Sequence, residues 1–371
     1  MNLRIRPIRI EDAGAIHAIR LQDAVLPQVL TLPSERPETF VERLQHTGER
    51  SHQLVAERDG KVIGWAGLER FPGRMGHAAE LFIMLDGEHH GAGVGTALLE
   101  KLLELADLWL MLERVELYVL ATNPRAQRLY ERLGFTVEGR EHGSVVSCGR
   151  YTDAILMARL RPGGLLVRDQ RAPAVPEVGR APTSEDGSPP EAIVVRPVTD
   201  LDAAAVHAIR LQESVLPFTL ALPSQTLESF RAHLAQLGPS EHTFVAERAQ
   251  RVVGYAGLKR FPGRLEHGAD LFVMVDERQH GTGVGTALVG KLLELADQWL
   301  MLERVQLGVL VTNPRAQALY ARLGFAVEGL RRGAVVSRGH YVDEVRMARL
   351  RPGGVLDVAA RGASGALDGA E

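Results

Sequence analysis

Cysteine is all but missing from these 371 residues: Cys148 stands alone. One thiol cannot close an internal disulfide, so a stapled secreted scaffold is excluded and a reducing, cytoplasmic setting is expected. Aromatic residues are few, and no apolar run approaches the roughly 20 residues that a bilayer-spanning helix needs. The opening MNLRIRPIRIED holds no apolar leader segment, so no membrane partner is expected. Charge of one sign is lacking too: a net charge of −3 gives no general attraction for nucleic acid.

What the chain has instead is a copy of itself. HHGAGVGTALLEKLLELADLWL (His89–Leu110) returns as HGTGVGTALVGKLLELADQWL (His280–Leu300) at an offset of 190, which also relates Arg6 to Arg196, Asn123 to Asn313 and Tyr130 to Tyr320. Such a repeat predicts two domains, 1–165 and 193–356. Between them, 166–192 is rich in proline, glycine and charge and reads as a linker, and 357–371 reads as a flexible tail. Cys148 has Arg338 as its counterpart, which argues against essential thiol chemistry.

Within a repeat the pattern predicts strand, two helices, three strands, helix, strand, helix, two strands: a mixed α/β layer on one sheet. LRIRPI is the first strand, and Glu11-Asp12 open a helix whose apolar positions are Ala15, Ile16, Ile19 and Leu21. The second helix runs from about Glu38 to Gln45, and Asp59-Gly60 marks a hairpin. Leu98, Leu102, Leu105 and Trp109 recur at three-four spacing over only about two heptads, which favours packing on a sheet over a coiled coil. His17 and His207 are given no role.

Gly91, Gly93 and Gly95 alternate with Ala92, Val94 and Thr96 just where a helix begins; Gly281, Gly283 and Gly285 do so with Thr282, Val284 and Thr286. Free helix-start amides without Cβ obstruction suit an anionic pyrophosphate. A tight helix start with no ligand is the other reading of such a triplet. A dinucleotide fold is disfavoured, because alternating βαβ units and a full GxGxxG are missing.

His90-x-x-Gly93-x-Gly95 and His280-x-x-Gly283-x-Gly285, each followed by NPRAQ…LY…RLGF, resemble the two linked signatures of the GNAT superfamily of acyl-coenzyme A-dependent N-acetyltransferases. Histidine stands where that family carries Gln or Arg. LPS, ADxWL and the closing GxYxDxxxMAR resemble the bacterial branch that acetylates free L-amino acids. The resemblance implies two tandem GNAT-like domains, each a mostly antiparallel mixed sheet flanked by helices, with acetyl-CoA as acyl donor and no metal.

It further implies site residues. The grip would be His90 to Thr96 and His280 to Thr286, with Asn123 and Asn313 at a helix start. The strands Phe82, Ile83, Met84, Leu85 and Phe272, Val273, Met274, Val275 would run beside the pantetheine arm, at a cleft where two strands part. Tyr130 and Tyr320 would give a proton to the leaving thiolate, core packing being their plainer reading. Glu80 and Asp270 would accept a proton from the ammonium, or else only pair with a neighbouring cation. VLPQVLTLPS, VLPFTLALPS and the chain ends around GRYTDAILMAR and GHYVDEVRMAR would shape the acceptor pocket. The acceptor is expected to be a primary amine, above all a free L-amino acid; a protein N-terminus, a polyamine, an antibiotic amine or a non-catalytic acyl-CoA-binding module are the alternatives. A homodimer is left open.

Overall fold

The computed structural model describes residues 3–168 and 192–358. Most of the stretch read as linker, and the tail beyond 358, lie outside them. The chain divides into unit 1, Met1–Ala172 together with Gly329–Ala334, and unit 2, Pro173–Glu328 together with Val335–Glu371.

Unit 1 runs β1 (Leu3–Pro7), α1 (Ala13–Arg20), α2 (Pro37–Gln45), β2 (Ser51–Arg58), β3 (Lys61–Arg70), β4 (Ala78–Leu85), α3 (Val94–Glu104), β5 (Arg114–Leu120), α4 (Pro124–Arg132), β6 (Thr136–Ser147), β7 (Arg150–Leu160) and a short α5 (Leu165–Arg168). That last turn of helix enters the stretch read from the sequence as linker. Strand order is β1-β2-β3-β4-β5-β7-β6, and every neighbouring pair is antiparallel except β4 with β5. Unit 2 repeats the plan as β8 (Val194–Pro197), α6 (Ala203–Arg210), α7 (Leu227–Ala235), β9 (Glu241–Arg248), β10 (Arg251–Arg260), β11 (Gly268–Val275), α8 (Val284–Glu294), β12 (Arg304–Leu310), α9 (Pro314–Arg322), β13 (Ala326–Ser337) and β14 (His340–Leu350).

Both faces of the central strands are covered, which is why AAELFIML reads as an almost unbroken apolar run. Ala79, Leu81, Ile83 and Leu85 face a core built with Leu98, Leu99 and Leu102 of α3. Phe82 and Met84 point the other way, onto Ala13, Ile16 and Phe40 of α1 and α2 and Trp65 of β3. The period-2 alternation of β4 thus assigns Glu80 to the α1/α2 face.

Two register expectations fail. In α1, which a 3-10 turn over Ile10–Asp12 precedes, Ala13, Ile16, His17, Ile19 and Arg20 are buried, while Ala15 is exposed. Trp109 does not pack on the sheet: it is 76% exposed. α3 ends at Glu104 and continues as a π turn over Leu105–Trp109, whose wider winding hands the inward place to Ala106.

The π turn has a second effect. It presents Asp107 to β7, where Arg159 Nη1 and Nη2 donate to Asp107 Oδ1 and Oδ2 at 2.9 and 2.7 Å. Arg349 and Asp297 repeat this fork in unit 2 at 2.9 and 2.8 Å. The ADxWL and MAR signatures therefore meet as a clamp between helix end and strand.

Candidate active sites

β4 and β5 pair only over Ala78–Glu80 with Arg114–Glu116 and then separate; β11 and β12 pair only over Gly268–Asp270 with Arg304–Gln306. The carboxylates picked out from the sequence, Glu80 and Asp270, are the last paired residues before each fork. Past it, Phe82–Leu85 and Phe272–Val275 keep their antiparallel partners on the other side, β3 and β10, and among the described residues have no strand partner on the fork side.

At the far end of β4 the chain turns into the glycine-rich segment. Gly91 and Gly93 have φ of 82° and 78°, Gly281 and Gly283 of 79° and 92°, backbone that a Cβ resists. Gly93 and Gly283 are the residues from which α3 and α8 start, with no side chain capping the helix. Gly91, Ala92 and Gly93 are exposed, while Val94 and Gly95, the first residues of α3, are buried and Val94 turns its side chain into the core. His90 is exposed; His280 Nε2 lies 3.0 Å from the Val275 carbonyl oxygen, and burial followed by the nearby Arg315 holds its pKa down.

Arginine beside this turn was missed in the sequence reading. A Cβ on Gly91 would lie 3.2 Å from Arg125 Nη2, so the first turn of α4 brings a guanidinium to the glycine-rich turn. Its identity was hidden inside NPRAQ, where Asn and Ala carry the family resemblance. Asn123 and Asn313 themselves are helix caps: their Oδ1 accepts from Ala126 N at 3.1 Å and Ala316 N at 3.2 Å.

Tyr130 and Tyr320 sit on α4 and α9 with 6% and 5% exposure, their rings against Phe135 and Phe325. Burial drives both phenol pKa values well above the ordinary 10, so the proton stays on oxygen at any working pH. Among the described residues neither hydroxyl has a hydrogen-bond partner, and neither is among the sealed polar atoms left unpartnered. Each is a protonated phenol packed into its unit's core.

Glu80 is exposed, yet its pKa is raised, first by desolvation and then by Glu116, against an opposing effect of Arg331 from the segment that belongs to unit 1. Directly across β3 stands Glu69, and across β5 Glu116, which is itself held ionised by Arg331 at 2.7 Å and Arg114 at 2.8 Å. Asp270 has Lys259 and Gln306 in those two places.

The loop and hairpin expected to shape the acceptor pocket do come together. Ser147 Oγ at the end of β6 donates to the Pro27 carbonyl at 3.0 Å, and Ser337 Oγ to that of Pro217 at 3.3 Å. Gln22 ties the same loop to the end of β4, donating to Asp86 Oδ2 at 3.0 Å.

Comparison with known proteins identifies the family. Residues 21–135 and 209–325 each match the acetyltransferase (GNAT) family. The chain is 33% identical over 159 residues to the L-amino acid N-acetyltransferase AaaT of Escherichia coli strain K12, spanning 42% of this chain and 97% of that one. It is 36% identical over 155 residues to the spermidine N(1)-acetyltransferase of Vibrio cholerae, spanning 41% and 88%. Among solved structures, a GCN5-related N-acetyltransferase from Kribbella flavida is 30% identical with a TM-score of 0.40, covering 43% of this chain and 98% of that one. Among the described residues no helix is long and apolar enough to cross a membrane. The chain belongs to the GNAT family of N-acetyltransferases and carries that acyltransferase unit twice in tandem.

Proposed function

We propose that each unit moves an acetyl group from acetyl-CoA to the primary amine of a small molecule, foremost a free L-amino acid, in the cytoplasm. The observation that carries this is the fork, with a carboxylate at its apex, a strand with no strand partner among the described residues along one arm and helix-start amides at its mouth. The amides of Gly91–Thr96 and Gly281–Thr286, with Arg125 beside them in unit 1, would hold the diphosphate; the open space at Gly93 and Gly281, where a Cβ would meet nothing within 4 Å, suits that load. Phe82–Leu85 and Phe272–Val275 would offer backbone partners to the amides of the pantetheine arm. When bound, acetyl-CoA supplies an activated thioester.

The chain's own residues supply proton traffic. Glu80 or Asp270 takes a proton from the incoming ammonium, directly or through water, leaving the lone pair free to attack. Tyr130 or Tyr320 donates a hydrogen bond to the sulfur as negative charge develops there. Their raised pKa makes complete proton transfer to a thiolate uphill, since an ordinary thiol titrates near 8.5, so stabilisation of the departing sulfur is the larger part of the role. The names of the relatives, an L-amino acid and a spermidine acetyltransferase, support a small amine acceptor. Release of free CoA thiol with acetyl-CoA and a panel of L-amino acids is expected, and a Tyr130→Phe, Tyr320→Phe double variant should bind CoA normally and turn over at least about tenfold more slowly. Binding of CoA without thiol release for any amine would point to an acyl-CoA-binding module instead.

A further inference from the structure

At the fork the two units differ in a row of side chains that share one sheet face. In unit 1 the row reads Ser51, Glu69, Glu80, Glu116 across β2, β3, β4 and β5; in unit 2 it reads Glu241, Lys259, Asp270, Gln306 across β9, β10, β11 and β12. Residues directly opposite in neighbouring strands place their Cβ atoms about 5 Å apart. The cross-strand neighbour of the apex carboxylate is therefore an acid in one unit and a cation in the other.

Five ångströms is also the scale that separates the ammonium and carboxylate contacts of one α-amino acid. An ammonium held at Asp270 puts its α-carboxylate within reach of the Lys259 ammonium. That side chain is exposed, and one of its three donors is given to Glu241 Oε1 at 2.9 Å, a half-buried acceptor, which leaves the other two donors available. Held at Glu80, the same molecule would bring its carboxylate against Glu69. Glu116 adds little repulsion of its own, because Arg114 and Arg331 already neutralise it. The acid that unit 2 gains, Glu344, lies over Gly308 on β12, across the fork from Lys259.

We propose that the residue opposite the apex carboxylate sorts acceptors by charge: Lys259 makes unit 2 the site for carboxylate-bearing amino acids, and Glu69 makes unit 1 a site for amines without a carboxylate, dications best of all. This rests on the acetyltransferase reading above. The two repeats then serve two classes of acceptor with one acyl donor.

The test uses the full chain, acetyl-CoA, and L-arginine against agmatine, which differ by the carboxylate alone. With both acceptors saturating, the rates of CoA release should add, because the two molecules occupy different sites. Lys259→Glu should raise KM for L-arginine about tenfold at unit 2 and add a second site for agmatine, and Glu69→Lys should raise KM for agmatine about tenfold at unit 1 and add a second site for L-arginine. Both positions are exposed and each variant installs the residue type or charge of its twin, so unfolding midpoints should hold. Mutual competition between the acceptors, or variants that leave the KM ratio unmoved while CoA is still released, would overturn the assignment. No CoA release from either acceptor would instead sink the transferase reading beneath it.

Discussion

Replacing Gly93 with alanine tests the grip most directly. Gly93 holds φ at 78° at the head of α3, and the added methyl would meet no atom within 4 Å, so sterics with neighbours contribute nothing. What remains is the intrinsic cost of a left-handed conformation for an L-residue, about 1–2 kcal/mol. That cost must surface somewhere. If the variant keeps the turn, folding stability falls by the full amount and CoA affinity is unchanged. If the free protein relaxes the turn and only CoA forces it back, stability is spared and Kd rises about five- to thirtyfold for the same 1–2 kcal/mol. Ala249, which holds φ at 51° in the β9–β10 hairpin, shows that this chain bears alanine in such a conformation. Calorimetric titration with CoA, paired with denaturant unfolding of the same sample, reads both quantities, and unit 2 serves as an unaltered second site. A Gly93→Ala protein with neither loss would refute the claim that the positive φ positions the helix-start amides for a ligand.

Three further outcomes are expected. Because desolvation and Glu116 raise the Glu80 pKa, unit 1 activity should climb with pH along a limb set higher than that of an ordinary glutamate, and Glu80→Gln should remove this limb from the pH–rate profile. Asp202 is held down to about 2, foremost by its hydrogen bonds from Arg196, and a depressed folded pKa contributes stability that is complete above the unfolded value and lost as pH falls through the folded one. Acid unfolding should therefore show about 2 kcal/mol leaving between roughly pH 4 and 2, and Asp202→Asn should erase that part of the slope. Asp107→Asn breaks the fork with Arg159 and should cost about 1–3 kcal/mol in chemical unfolding while the order of preferred acceptors stays the same.

Much of this architecture was readable from residues alone, since glycine alternation, apolar periodicity and the doubled signature each reflect a local physical need. The order of elements follows from period 2 giving way to period 3.6, and Asp59-Gly60 announces its turn outright. The same turn in unit 2 is Ala249-Gln250, both at positive φ, and carries no such signal; only the repeat reveals it. Trp109 was misplaced because three-four spacing assumes uniform winding, and a π turn is invisible to that count. Arg125 and the Glu69–Lys259 exchange escaped notice for another reason: their meaning depends on which strands lie side by side, and register is a property of the assembled sheet.

The parting of β4 from β5 makes an edge inside the molecule. Sheet margins ordinarily invite other strands and thereby aggregation, but this one is only Phe82–Leu85 long. A rim of that length is too short to template a foreign polypeptide, yet it suits a slender chain punctuated by two amides. If the proposed pantetheine arm lies there, amide hydrogens along that rim should exchange quickly with deuterated water in the free protein and slowly once CoA is bound.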